Sequence, residues 1–161
     1  MATEIERKFL VKSDAWREGG PPGEKICQGY LASDRQRAVR VRLKGTKAFL
    51  TVKGAGEGIA RAEFEYPIPV ADAQEMLALC LPSPVEKIRH ERHCGSSLWE
   101  VDEFRGENAG LVVAEIELEA EDSDFERPDW LGEEVTHDPR YLNTSLAKHP
   151  WRKWDENEDL G

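Results

Sequence analysis

The sequence is poor in cysteine and in long apolar stretches, and each shortage excludes a class of protein. Its three cysteines, at positions 27, 80 and 94, are odd in number and widely spaced. That arrangement fits neither a disulfide framework nor a C-x-x-C zinc site. No apolar run approaches the roughly 18 residues that a membrane helix needs. The amino terminus carries acids where a secretory signal would be basic and then apolar, so we expect a cytoplasmic protein with no membrane partner.

Positive charge is also scarce. The chain has 22 Lys and Arg against 32 Asp and Glu, and its formal net charge is −10. General nucleic-acid binders are normally basic, so we expect no nucleic-acid partner. A local basic site can still lie inside an acidic protein, and an anionic ligand is therefore not excluded.

Apolar and polar residues alternate with a period of two along most of the chain, which predicts strands. The predicted strands are 4–11, 25–32, 38–44, 48–53, 61–68, 85–94, 97–104 and 111–120. Short polar or glycine-bearing links predict hairpins and antiparallel neighbours. Only 70–81 and 141–148 are typical of helices.

This set of elements predicts a mainly β fold of the α+β class. We expect an eight-stranded antiparallel sheet, closed into a barrel or tunnel, with a few flanking helices. Residues 1–150 are expected to form a single domain, because a chain of this length usually has one core. The acidic segment 151–161 loses all periodicity and is expected to be a disordered tail.

Charged side chains share one face of most predicted strands. Arg40 and Arg42 alternate with valines, and Glu115 and Glu117 alternate with apolar residues. For one strand, the simplest interpretation is a two-faced sheet with its polar side in water. Across the strands, however, basic and acidic faces are largely separate, whereas a solvated face would more often mix the signs.

The alternative is a barrel whose charged faces point inward. Burying so many charges costs several kcal/mol per ion unless each is paired or hydrated, and a sequence would carry that cost only for a ligand. Carboxylates on one wall suit a hard divalent cation such as Mg²⁺ or Mn²⁺. Arg and Lys on another wall suit phosphate oxygens. Together the two walls describe a metal–polyphosphate site.

The motif Glu4-Ile-Glu-Arg-Lys8 resembles the E-x-E-x-K signature of the triphosphate tunnel metalloenzymes, also called CYTH proteins. Further motifs match that family in order, so that the resemblance covers about residues 3–148. They are Gln28-Gly-Tyr-Leu31, Arg40-Val-Arg-Leu-Lys44, Leu50-Thr-Val-Lys53, Arg61-Ala-Glu-Phe-Glu65, Lys87-Ile-Arg89, Trp99-Glu-Val-Asp102, Glu115-Ile-Glu117 and Tyr141-Leu-Asn143. The resemblance implies an eight-stranded antiparallel tunnel with a charged interior, which cleaves or rearranges triphosphates with Mg²⁺ or Mn²⁺ as the cofactor.

Matching motifs assign a role to each candidate residue. The implied metal ligands are Glu4, Glu6, Asp102, Glu115 and Glu117. The implied phosphate-binding residues are Lys8, Arg40, Arg42, Lys53, Lys87 and Arg89. The implied catalytic residues are Lys8, Lys53, Glu63 and Glu65, of which the two glutamates would support a second metal or orient the attacking water. For Glu63, Glu65 and Asp102 an alternative stays open, in which they only neutralise nearby Arg or Lys.

The short chain most resembles the bacterial branch that favours inorganic triphosphate. The expected reaction is the metal-dependent hydrolysis of tripolyphosphate to pyrophosphate and phosphate. Two other enzymes are alternatives: a class IV adenylyl cyclase, which converts ATP to cyclic AMP and pyrophosphate, and a thiamine triphosphatase. A polyphosphate-binding module without activity is a third. A homodimer is compatible with the sequence, which does not determine the oligomeric state.

Overall fold

The computed structural model describes residues 3–55, 60–80 and 84–154, with the side chains of residues 3 and 4 outside the description. The strands in these ranges are Thr3–Val11 (β1), Glu24–Ser33 (β2), Arg37–Lys44 (β3), Lys47–Gly54 (β4), Ala60–Ile68 (β5), Val85–Cys94 (β6), Ser97–Phe104 (β7), Val112–Glu117 (β8) and Leu131–Glu134 (β9). The α-helices are Val70–Leu79 (α1) and Asn143–Lys148 (α2). In the described part of the chain, neither helix has the length and apolar character of a membrane span.

Eight of these strands form a closed antiparallel barrel. Hydrogen bonding runs in the order β5-β4-β3-β2-β6-β7-β8-β1, and β1 returns to pair with β5. The tight turns after β3 and β6 use Gly45 and Gly95, both at φ +58°, a backbone conformation that glycine adopts without strain. The predicted eight-stranded antiparallel barrel is thereby confirmed.

Strand β9 is an addition that the sequence did not predict. It pairs with the end of β1, outside the closed ring. Its four residues, LGEE, are too few for an alternating pattern to stand out. Strand β8 is shorter than predicted and ends at Glu117, although the amide of Leu118 still donates to the carbonyl of Ile5 at 2.8 Å.

The charged faces point into the barrel. Side chains directly opposite each other in an antiparallel pair project from the same face of the sheet. One such row crosses the four strands β2, β3, β4 and β5 and consists of Tyr30, Arg40, Thr51 and Glu65. A second row crosses β7, β8 and β1 and consists of Glu100, Glu115 and Lys8. Most of these side chains are buried, which overturns the two-faced sheet with its polar side in water.

The hydrophobic core lies mainly on the outer face of the barrel wall. On one side, α1 packs Ala73 against Val41 and Ala48 of β3 and β4. On another, Phe9 and Trp99 stack edge to face, with ring centroids 5.4 Å apart, and segments outside the ring cover them. Burial of these apolar faces stabilises the closed ring and leaves its interior to polar groups.

One end of the barrel is filled by the C-terminal segment. We call residues 139–154 the plug. Phe104 and Val113 lie at inward-facing positions, and both pack in one cluster with Tyr141, Leu146 and Trp154 of the plug. The Tyr141 and Trp154 rings are 5.1 Å apart, edge to face. The plug therefore closes this end with apolar side chains.

Two boundaries predicted at the C-terminal side are corrected. The predicted helix 141–148 is instead a 3-10 turn over Pro139–Tyr141 followed by α2. The reason is that Pro139 begins a tighter turn, which the carboxylate of Asp138 caps by accepting from the amide of Arg140. The segment 151–154 belongs to the packed plug and not to a tail, since Trp154 is buried against Tyr141. The rest of the expected tail, 155–161, lies outside the described residues.

Candidate functional site

A charged cavity of about 250 Å³ lies inside the barrel and reaches the start of α2. All predicted site residues with a described side chain line it, except Asp102. They are Glu6, Lys8, Arg40, Arg42, Lys53, Glu63, Glu65, Lys87, Arg89, Glu115 and Glu117. The backbone of Glu4 pairs with Arg61, but the side chain of this predicted ligand lies outside the described residues. The structure brings the residues together, and their individual roles stay predictions.

The inner cavity continues into an outer one of about 480 Å³. The two share Lys8, Lys53 and Arg61, and the outer cavity is also lined by residues 33–37 and His137. Positive charge therefore extends along the interior, in a protein whose net charge is −10. Such local fields attract anions in spite of an acidic surface elsewhere.

The acidic wall comes from three adjoining strands. Glu6 on β1 lies opposite Glu117 on β8, and Glu115 on β8 lies opposite Glu100 on β7. Burial raises the pKa of Glu100, and the neighbouring Glu115 and Asp102 add to this, although Arg89 opposes it. Carboxylates gathered in this way repel one another, and a cation between them relieves the repulsion.

Lys8 lies against the acidic wall. Its Nζ is 3.6 Å from a carboxylate oxygen of Glu115 and 3.9 Å from one of Glu6, and it also donates to the carbonyl of Tyr141 at 3.4 Å. Burial lowers the pKa of Lys8, but Glu115 and Glu6 outweigh this and raise it above its ordinary value. The amine is therefore a permanent positive charge at neutral pH.

Beneath the cavity, two cations share one carboxylate. Arg89 donates through Nε and Nη2 to Asp102 at 2.7 and 2.9 Å, and Lys87 Nζ lies 2.7 Å from the same carboxylate. Asp102 and Lys87 are fully buried. Burial alone would raise the pKa of Asp102, but the two cations hold it well below its ordinary value. The cluster is a buried, charge-assisted network.

Asp102, one of the predicted metal ligands, lies apart from the others, and its role stays a prediction. It does not line the cavity, and both of its carboxylate oxygens accept hydrogen bonds or ion pairs from Arg89 and Lys87. Its geometry is that of the alternative, in which an acid neutralises nearby Arg and Lys. The reason is depth, because Asp102 lies opposite Val113 at the plug end of the barrel.

Two cations at the floor are destabilised in their charged forms. Burial lowers the pKa of Lys87 to about 7, with Arg89 and Arg42 adding to the effect against the opposing Asp102. Burial likewise lowers the pKa of Arg42 to about 10, helped by Arg40 and Arg89. Crowded positive charges gain most from an anion placed among them, since it removes their mutual repulsion.

Arg40 has a donor with no acceptor. Its Nη2 donates to Thr51 at 3.3 Å and lies 3.8 Å from Glu65, but its buried Nε has no hydrogen-bond partner among the described residues. An unsatisfied buried donor costs free energy until an acceptor reaches it.

The residues present also fit a hard divalent cation. Glu6, Glu115 and Glu117 supply oxygen ligands from paired strands, and oxygen is what Mg²⁺ and Mn²⁺ prefer. Among the described side chains, no group of three His, Cys, Asp or Glu is already arranged to hold a metal ion. Glu115 also lies 3.5 Å from Arg89 and 3.6 Å from Lys8.

Several cavity residues have no role in the sequence-based assignment. They are Tyr30, Arg61, Glu100 and Asn143. Strand alternation could have identified Arg61, which shares a face with Glu63, and Glu100, which shares one with Asp102. Tyr30 is buried and lines the cavity. Asn143 belongs to the matching motif Tyr141-Leu-Asn143 but received no role there, because it reaches the cavity only when the plug docks.

Comparison with known proteins agrees with this geometry. The CYTH domain family model matches residues 2–149. A protein of Acetivibrio thermocellus named inorganic triphosphatase is 49% identical over 157 residues, which is 97% of this chain and 100% of that protein. Another, of Nitrosomonas europaea, with the same name, is 38% identical over 149 residues, 90% of this chain and 97% of that protein.

Solved structures show the same fold. A crystal structure of an inorganic triphosphatase aligns with a TM-score of 0.67 at 36% identity, over 91% of this chain and 95% of that one. A Pyrococcus furiosus protein of undefined function aligns at 20% identity with a TM-score of 0.56, over 74% of this chain and 80% of that one, and shows the fold alone.

The fold and the cavity define the class of protein. It is a closed antiparallel barrel whose interior carries both acidic and basic side chains. The chain belongs to the CYTH family, as the predicted resemblance indicated. The curated relatives to which it is similar are named inorganic triphosphatases.

Proposed function

We propose that the protein is a divalent-metal-dependent inorganic triphosphatase, which hydrolyses tripolyphosphate to pyrophosphate and phosphate. The observation that carries the proposal is the enclosed cavity, in which six predicted phosphate-binding cations face a wall of carboxylates. The names of the two curated relatives support the same substrate.

In the proposed reaction, Arg40, Arg42 and Arg89 bind phosphate oxygens through their guanidinium groups and hold the chain in line. Glu63 and Glu65 line the same cavity, and in this reaction one of them accepts a proton from the attacking water. The water oxygen bonds to a terminal phosphorus, the bond from that phosphorus to its bridging oxygen breaks, and pyrophosphate leaves. Mg²⁺ or Mn²⁺, held by Glu6, Glu115 and Glu117, would neutralise charge on the phosphate oxygens. The choice of ion and a cytoplasmic location stay predictions.

A phosphate-release screen tests this function. Tripolyphosphate, ATP and thiamine triphosphate are each incubated with Mg²⁺ and with Mn²⁺, and the products are separated. We expect pyrophosphate and phosphate from tripolyphosphate, at a higher kcat/KM than for either organic triphosphate. Cyclic AMP from ATP without phosphate from tripolyphosphate would establish the cyclase alternative. Stabilisation by tripolyphosphate without turnover with either ion would establish a binding module.

Binding of tripolyphosphate at pH 8 is expected to take up about one proton through Lys87. The pKa of this amine is about 7 in the free protein, so it is mostly neutral at pH 8, and a bound anion favours its charged form. Calorimetric titrations in buffers of different ionisation enthalpy measure the uptake. The Lys87→Met variant, which cannot titrate, should take up about one proton fewer. Equal uptake by both proteins would show that Lys87 is not the group.

A further inference from the structure

The plug contacts the charged cavity as well as closing the barrel. The side-chain oxygen of Asn143, at the start of α2, accepts hydrogen bonds from Lys87 Nζ at 3.0 Å and from Gln28 Nε2 at 3.1 Å. The oxygen of Gln28 in turn accepts one from Arg42 Nε at 2.7 Å. These hydrogen bonds form one continuous chain, which we call the relay, and it joins the plug to two cations of the cavity floor.

The chemistry of the donors fixes the direction of this relay. An arginine only donates, so Arg42 requires the oxygen of Gln28 to face it, and the Gln28 nitrogen then faces Asn143. Lys87 also only donates, so the oxygen of Asn143 is fixed between two donors. The remaining polar atom of Asn143 is Nδ2, and Asn143 lines the cavity. Within the described part of the chain, no hydrogen bond uses this nitrogen.

Packing alone does not account for this amide pair. Elsewhere the plug closes the barrel with apolar side chains such as Tyr141 and Leu146. Gln28 is fully buried, and a buried amide costs free energy unless both its halves are bonded. The relay also leaves the terminal nitrogens of Arg42 without a partner among the described residues, so that they are free to bind an anion.

We propose that Asn143 is a substrate-positioning residue of the triphosphate site. Its Nδ2 donates to the phosphoryl group nearest the plug, while its oxygen holds Lys87 directly, and Arg42 through Gln28, toward the same group. The inference rests on the proposed function. In this proposal the plug contributes a neutral amide to a site whose other proposed residues are charged and lie on strands.

The Asn143→Asp variant tests the proposal. It keeps the oxygen that Lys87 and Gln28 use, but it replaces the donor with a charged acceptor that repels phosphate. Asn108→Asp is the matched control, since Asn108 lies outside the cavity lining and uses only its oxygen, which accepts from the Trp151 amide at 2.8 Å. Three quantities are compared: the Kd of tripolyphosphate by calorimetry in EDTA, the melting temperature, and kcat and KM with Mg²⁺ or Mn²⁺.

We expect Asn143→Asp to raise Kd and KM by about 10-fold or more, with a smaller change in kcat and no loss of melting temperature. The control should leave Kd and KM within about two-fold, although its new carboxylate is buried and lowers the melting temperature. Asn143→Ala also lacks the donor and should weaken the binding of tripolyphosphate as well. This variant replaces Asn143→Asp in the comparison if the aspartate variant does not fold. A wild-type Kd in either Asn143 variant would overturn the proposal.

The two proposals fail in different ways. Wild-type protein that binds tripolyphosphate but hydrolyses it with neither ion would refute the proposed function, and the Kd comparison would still decide the role of Asn143. Wild-type protein that does not bind tripolyphosphate would refute both.

Discussion

Replacing Glu6 with glutamine is expected to lower kcat/KM for tripolyphosphate by about 100-fold or more. Glu6 lies opposite Glu117 in the acidic wall, and the amide keeps the shape of the side chain while removing its charge. Loss of a supporting residue around a metal typically costs 10–100-fold in affinity or activity, so loss of a direct ligand should cost at least as much. Steady-state rates over a range of Mg²⁺ and Mn²⁺ concentrations measure the effect.

A matched variant separates this effect from a change in net charge. Glu75→Gln removes one negative charge from the exposed face of α1, away from the cavity, and should leave kcat/KM within about two-fold. Because the ion pair of Glu6 with Lys8 is long, at 3.9 Å, the replacement of Glu6 should cost little stability. If Glu6→Gln kept wild-type kcat/KM and metal dependence, Glu6 would not be a ligand.

The second large effect is expected on stability: the Asp102→Asn variant should have a lower free energy of unfolding than the wild type. The fully buried carboxylate neutralises both Arg89 and Lys87, and its removal leaves two buried cations without a counter-charge. Breaking a buried ion pair in this way typically costs about 3–5 kcal/mol. Urea unfolding at pH 7 measures the loss, and Asp122→Asn, on an exposed loop residue, is the control.

The pH dependence of this difference has a defined sign. The pKa of Asp102 is lower in the folded protein than its ordinary value of 3.8. Its contribution is therefore complete above pH 3.8 and is lost as the pH falls through the folded pKa. We expect the stability difference between wild type and Asp102→Asn to narrow in acid, as the carboxylate of the wild type becomes protonated. A difference below 1 kcal/mol at pH 7 would contradict the assigned role of Asp102.

The alternation of side chains was sufficient to predict most of the cavity. Residues such as Arg42 and Glu115 lie on inward faces because a strand places every second side chain on one side. Alternation gives the face but not the depth along the barrel axis. Glu100 and Asp102 share a face, yet Glu100 lines the cavity whereas Asp102 lies beneath it, opposite Val113.

Residues supplied by the packing of distant segments could not be predicted in the same way. Asn143 reaches Gln28, which is 115 positions away, only because the plug docks on the barrel. That docking depends on the packing of Tyr141 and Trp154 against Phe104 and Val113 of the barrel, which no local period encodes. The short strand β9 was missed for a related reason, since its pairing with β1 decides its conformation.

The plug also shapes the path between the cavity and its surroundings. Pro139, Leu142 and Thr144 of the plug line the outer cavity, and Leu142 and Thr144 line the inner one as well. The outer cavity therefore lies beside the plug. A change in how the plug docks would alter the access of an anion to the cavity as well as the stability of the barrel.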